Sequence, residues 1–232
     1  MRKQNFLLVC VMALLMTPLS GVFAQEDEGS SSEFSVGADV VSSYVWRGTL
    51  FSGSAFQPSI EFSSGGFSLG AWGSFDFVGS FAEADLYAAY AFDFGLSIGI
   101  TDYYYPGTPY LEFSDTIGAH ALELNLGYEI SGFSIGANYI FNEAKISDEG
   151  LGAGSAGGDM YFELGYGFKD LEIFVGAGDG WHSSDGEFAL VNIGVASSKE
   201  IPISDTYSLP VGVAAIWNPD KEQFYIVGTI SF

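Results

Sequence analysis

The chain has 232 residues, a formal charge of −22, 31 glycines, 16% aromatic residues and only 16% charged residues. Soluble domains carry about 25% charged residues, so the composition argues against an ordinary soluble fold, and the length suits one barrel or sandwich without forcing two domains. The acidic balance has no basic patch, which excludes nucleic acid as a partner, and the sequence has no phosphate loop and no Cys/His cluster, so no cofactor is expected.

Arg2 and Lys3 precede an apolar run from Phe6 to Met16, followed by Val22-Phe23-Ala24. A positive start, a short apolar core and small residues at a cleavage site mark residues 1–24 as a secretory signal peptide. The apolar run is too short to span a membrane as a helix. Removal after Ala24 leaves five basic residues against 29 acids, a charge of −24, and also takes away Cys10, the one cysteine, so no disulfide is expected. Too little apolar sequence precedes Cys10 for a lipoprotein signal. Residues 25–33 are acidic and serine-rich and read as a disordered periplasmic tail.

From Phe34 the chain adopts a period of two. Phe34, Val36, Ala38, Val40, Tyr44 and Trp46 share the apolar face of a first strand, with Asp39, Ser43 and Arg47 opposite; Gly48 to Ala55 reads as a loop. Phe56 to Phe62 alternate in a second strand, Ser64-Gly65-Gly66 makes a tight turn, and Phe67 to Phe77 run back. Strands follow over Ala84–Phe92, Leu96–Ile100, Leu122–Ile130, Phe133–Phe141, Met160–Phe168 and Leu171–Ala177. Two less regular strands, Phe188 to Ala196 and Tyr207 to Trp217, flank a long connection from Ser197 to Thr206. The closing strand, Gln223 to Phe232, puts Phe224, Ile226, Gly228, Ile230 and Phe232 on one face.

That makes about twelve antiparallel strands of roughly the 9–11 residues a tilted strand needs to cross a bilayer. Tight turns at Gly65, Gly95, Gly132 and Asp170 alternate with longer loops at Gly48, Pro106, Asn142 and Asp179. Short periplasmic turns, long external loops and an even strand count describe an up-and-down transmembrane barrel of the bacterial cell outer membrane, here residues 34–232. Tyr44, Trp46, Tyr139, Phe141 and Trp217 would form an outer aromatic girdle, and Phe62, Phe92, Phe133, Phe168 and Phe232 an inner one.

With the apolar faces toward lipid, the lumen-lining set becomes Asp39, Arg47, Glu61, Asp76, Glu83, Asp85, Glu123, Glu129, Glu163 and Glu172, with Lys169 a second lumen cation. Such a passage concentrates cations and repels anions. Arg47, the one arginine beyond the signal peptide, is expected to pair with a carboxylate such as Asp39 or Glu61 near the outer mouth, or to lie exposed at the interface. The two histidines, His120 and His182, lack an arranged serine partner, so an enzyme is not expected. Asp179, Asp185 and Glu187 in one loop lack calcium-loop spacing, and a solvated loop is the simpler account.

Ser43-Tyr44-Val45-Trp46-Arg47-Gly48, after Asp39-Val40-Val41-Ser42, resembles the opening motif of the TorF-type porin family. Phe67-Ser68-Leu69-Gly70-Ala71-Trp72-Gly73-Ser74 and Asp85-Leu86-Tyr87 resemble that family's third and fourth strands. The resemblance spans roughly residues 36–95 and implies an outer-membrane barrel with a transport role and no catalytic residues. The functional expectation is therefore diffusive passage of small solutes through a narrow, acidic, cation-preferring lumen. Its rival is a non-conducting structural or surface-interaction barrel acting through its loops. Expected partners are outer-membrane lipid, lipopolysaccharide, small solutes, and the barrel-assembly machinery acting on the terminal Phe232.

Overall fold

Strands that are apolar on one face and small or polar on the other can satisfy every backbone group without helices if the sheet closes on itself. The computed structural model describes residues 32–146 and 152–232 and has this form. The signal peptide and residues 25–31 of the expected tail lie outside the described residues. The strands are β1 Ser32–Val41, β2 Tyr44–Trp46, β3 Thr49–Ser52, β4 Ala55–Ser64, β5 Phe67–Asp76, β6 Ala82–Ala91 and β7 Leu96–Tyr104. They continue as β8 His120–Ile130, β9 Phe133–Ile140, β10 Asp159–Phe168, β11 Leu171–Gly178, β12 Ala189–Pro202, β13 Ser208–Asn218 and β14 Gln223–Ser231.

Twelve of these, β1 and β4 to β14, form one closed antiparallel barrel in sequence order, with β14 returning to β1. The expected fold class and strand count hold. Outward positions carry the apolar residues: Phe34, Val36, Ile60, Leu69, Leu86, Leu126, Ile135, Leu164, Ile173 and Ile226 are all exposed. At the short-turn end, rings pair across strands, with centroids 4.9 Å apart for Phe34–Phe62 and 4.5 Å for Phe133–Tyr166. At the long-loop end Tyr139, Phe141 and Trp217 lie exposed on the outer face.

Four sequence expectations are corrected. Ser32 and Glu33, assigned to the tail, pair with Ser64 and Ser63 as the first residues of β1. The segment 48–55 is not a plain loop, because Thr49–Ser52 is a strand. The first wall strand ends at Val41 rather than Trp46; the chain bends at Ser42-Ser43, and β2 and β3 pair with each other as a separate hairpin. Tyr44 is consequently buried inside rather than girdling the outside, and Trp46 packs inside with it.

Finally, β12 runs on to Pro202 in register with β13, so the connection expected to be long shrinks to residues 203–207. What obscured β12 is a bulge. Gly176 faces Asn192 while Ala177 faces Leu190, so Val191 is an extra residue in its strand. Leu190 and Val195 stay exposed while Val191 and Asn192 are both buried. A bulge breaks strict alternation in this way.

Candidate functional site

The bend at Ser42-Ser43 turns the motif residues into the barrel. The two-residue turn of the β2–β3 hairpin is Arg47-Gly48, both with positive φ (49° and 78°). That is the signature of the mirror-image turn matching strand twist. Arginine in this conformation costs roughly 1–2 kcal/mol, so the surroundings must hold it. Gly48 is obligatory, because a Cβ there would lie 2.0 Å from the carbonyl oxygen of the bulged Val191. The Gly48 carbonyl accepts from Asn218 Nδ2 at 3.0 Å, and Lys221 Nζ donates to Thr49 Oγ1 at 3.0 Å. One flank of the hairpin packs Tyr44 among Phe51, Trp72 and Phe81. The other packs Trp46 against Tyr103 and Trp181.

At the tip, Arg47 makes a bidentate ion pair with Glu123 of β8, Nη1 to Oε2 at 2.6 Å and Nη2 to Oε1 at 2.9 Å, with both side chains 1% exposed. The guanidinium carbon lies 4.2 Å from the Trp46 ring centroid and 4.4 Å from that of Tyr161. Glu123 Oε1 also accepts from Tyr103 Oη at 2.9 Å and Asn125 Nδ2 at 2.6 Å. Tyr161 donates to Glu163, and Asn192 Nδ2 donates to both at 3.0 Å. Charged groups persist in such a dry place only when paired and hydrogen-bonded. His182, in the 3-10 turn Gly180–His182 that roofs the site, has Nε2 3.4 Å from Arg47 Nη1. Burial, with Arg47 beside it, holds its pKa well below the usual imidazole value.

All ten lumen candidates sit on the wall face opposite the exposed apolar residues or at the hairpin tip, but the structure sorts them. Arg47 joins Glu123 rather than Asp39 or Glu61, because the hairpin carries it across the lumen; Glu163 joins the same network through Tyr161 and Asn192. Glu83 and Asp85 are buried beneath Tyr44, with Tyr105 Oη donating to Glu83 Oε1 at 3.1 Å. Asp76 serves the wall, accepting from the backbone of Ser80 and Phe81 to close the β5–β6 connection. Glu61 accepts from Tyr87 Oη at 2.8 Å, and Asp39 faces Ser231 across the barrel seam. Glu129 and Glu172 line the half nearer the short turns and are only partly buried. Lys169, expected in the lumen, instead occupies the β10–β11 turn with Nζ 5.1 Å from the Phe168 ring. The tight turn exposes its side chain to water.

The lumen is therefore unequal along its length. In the half nearer the short turns its lining includes Ser35, Ser59, Glu61, Ser63, Ser68, Glu129, Ser134 and Ser198, all incompletely buried. At the level of the hairpin Tyr44, Arg47, Trp72, Tyr103, Glu123 and Tyr161 are all buried. It is a polar cup, closed by the hairpin toward the long-loop end.

His120 acts as a clasp. Its Nδ1 lies 2.8 Å from Asp102 and its Nε2 2.5 Å from the Tyr110 carbonyl, and its ring stacks on Phe113 at 4.3 Å. Both ring nitrogens are thus engaged in holding the 105–119 loop. Among the described residues neither histidine hydrogen-bonds a serine hydroxyl. Asp179 and Asp185 spend an oxygen each on the backbone N–H groups of Met160 and Glu187.

Tyr103, Asn125, Tyr161, Asn192 and Trp181 were missed as site residues. Alternation alone could have found the first three, which are inward by period; the bulge hid Asn192, and Trp181 lies in a loop.

Comparison with known proteins adds the following. No curated protein matches. One similar solved structure, described as "Asymmetric conductivity of engineered proteins", shares 11% identity at a TM-score of 0.40 and covers 82% of this chain. A multiple mutant of the Rh. blastica porin matches with the same values, and this chain spans 66% of each of those two chains. The Salmonella typhi outer membrane phospholipase dimer with bound calcium shares 10% identity at a TM-score of 0.37, covering 86% of this chain and 88% of its own. A family model described as a bacterial protein of unknown function, Gcw_chp, matches residues 25–207, most of the chain, which therefore belongs to that family.

Proposed function

We propose that this protein is an outer-membrane barrel of the TorF-type porin kind that passes small solutes, cations in preference, and that the described state is its closed one. The exposed apolar wall supports a seat among membrane lipid and lipopolysaccharide, with the short turns toward the periplasm. The acids lining the cup support cation preference. One observation carries the gating: the hairpin that fills the lumen packs aromatic rings on its flanks but holds its tip through a buried ion pair, Arg47–Glu123. Apolar residues of similar volume would hold a permanent plug at least as well, so an ionic latch suits an element that is released. Nothing in the arrangement of His120 or His182 supports catalysis.

Planar-bilayer recording tests this. The refolded protein should show rare, brief openings, and replacing Tyr44–Ser52 by a short Gly-Ser linker should give steady openings with cation-selective reversal potentials. A linker variant that folds but never conducts would favour the rival, a barrel acting structurally through its loops. Anion selectivity would overturn the role given to the acids.

A further inference from the structure

The barrel closes through a short seam. β1 and β14 share three register positions, Asp39–Ser231, Val40–Ile230 and Val41–Thr229, where every other neighbouring pair shares at least eight. Reciprocal bonds between Ala38 and Phe232 extend the seam one way, and Ser42, whose N–H donates to the Gly228 carbonyl at 2.9 Å, ends it the other way. Beyond Ser42 the chain leaves the wall for the lumen. Among the described residues no strand then pairs with Gln223–Val227 on that side. An open edge beside lipid is costly. Phe224 and Ile226, which stand on it, are 64% and 66% exposed.

The departing segment carries a pattern that its docked position leaves unused. Phe34, Val36, Ala38 and Val40 face outward, and the same period continues through Ser42 to Tyr44 and Trp46. Extending the observed register by its own rule sets Tyr44 against Ile226, Val45 against Tyr225, Trp46 against Phe224 and Arg47 against Gln223. Tyr44 and Trp46 would then face lipid, with Trp46 joining the exposed Trp217, which is already in register with Phe224. Val45 and Arg47 would face the lumen. Arg47 would also leave the positive-φ conformation that the hairpin imposes.

We infer that the free edge of β14 is the docking site for Ser43–Arg47 of the same chain, and that the channel opens when this segment leaves the lumen and zips onto Gln223–Val227. One segment then serves as plug or as wall, and opening completes the barrel as it clears the passage. The inference rests on the closed-channel reading, but its test reads the strand exchange itself.

In a chain carrying Cys10→Ser, the pair Trp46→Cys and Phe224→Cys should form an intramolecular disulfide under the voltage or pH that gives openings. Directly opposed residues of a ladder lie at a suitable separation for one. Oxidation should hold the channel open until reductant is added, while Trp46→Cys with Ile230→Cys, out of register, should not cross-link. Folding is checked first by gel migration, where the folded barrel, unboiled, should run apart from the boiled chain. Should the cysteines disturb it, Trp217→Phe protein in brominated lipid provides a second readout: Trp fluorescence should fall on opening, and Trp46→Phe should abolish the fall. A channel that opens without the 46–224 disulfide, and with no such quenching, overturns strand exchange and leaves the transport reading intact. A disulfide that forms in a barrel that never conducts sinks the transport reading alone.

Discussion

Arg47 shows how one residue acquires a role from its surroundings. Removing it strands Glu123 in a dry site, and breaking a buried pair costs about 3–5 kcal/mol. Arg47→Ala should therefore loosen the hairpin by roughly that amount, read as faster amide exchange over Tyr44–Ser52, whereas Arg47→Met with Glu123→Met should keep it docked. Equal loosening in both would show that packing, not the latch, holds the hairpin. His182 adds a pH dependence. Its pKa is depressed in the docked state by burial and by Arg47, so the undocked state binds the extra proton. Docking is then fully stable above the ordinary imidazole pKa of about 6.5 and loses about 1.4 kcal/mol per pH unit below it until the folded pKa is reached. Conductance should rise on acidification, with His182→Gln flattening that limb; an unchanged profile would remove His182 from the latch.

The hairpin is the element on which sequence and structure part. Its turn depends on Gly48, where a Cβ meets the Val191 carbonyl, while Gly53 in the next connection has open space and no positive φ. Gly48→Ala should expel the hairpin and raise conductance, with Gly53→Ala near wild type; matching phenotypes would refute the fit at Val191. The other strands were legible because each buries one face and exposes the other, which writes a period of two directly into the chain. Even the departures are informative. β12 lost its pattern because the bulge at Val191 adds a residue, and that same bulge receives Gly48.

For the whole molecule, closure is decided at the β1–β14 seam. Phe232 both donates to and accepts from Ala38 across it, so the terminal residue is a seam member as well as the proposed handle for the assembly machinery. Deleting Phe232 should lower the amount of heat-modifiable barrel in the membrane far more than it alters the conductance of what assembles. Normal membrane levels would argue against both roles. The sequence by itself determined the closed twelve-stranded barrel and its outward apolar face, because local alternation and turn chemistry suffice to specify them. Only the tertiary structure decided that Tyr44 to Gly48 lie inside rather than in the wall. That choice depends on Glu123, Tyr161, Val191 and Asn218, residues remote in the chain, and a period of two is satisfied equally well by either position.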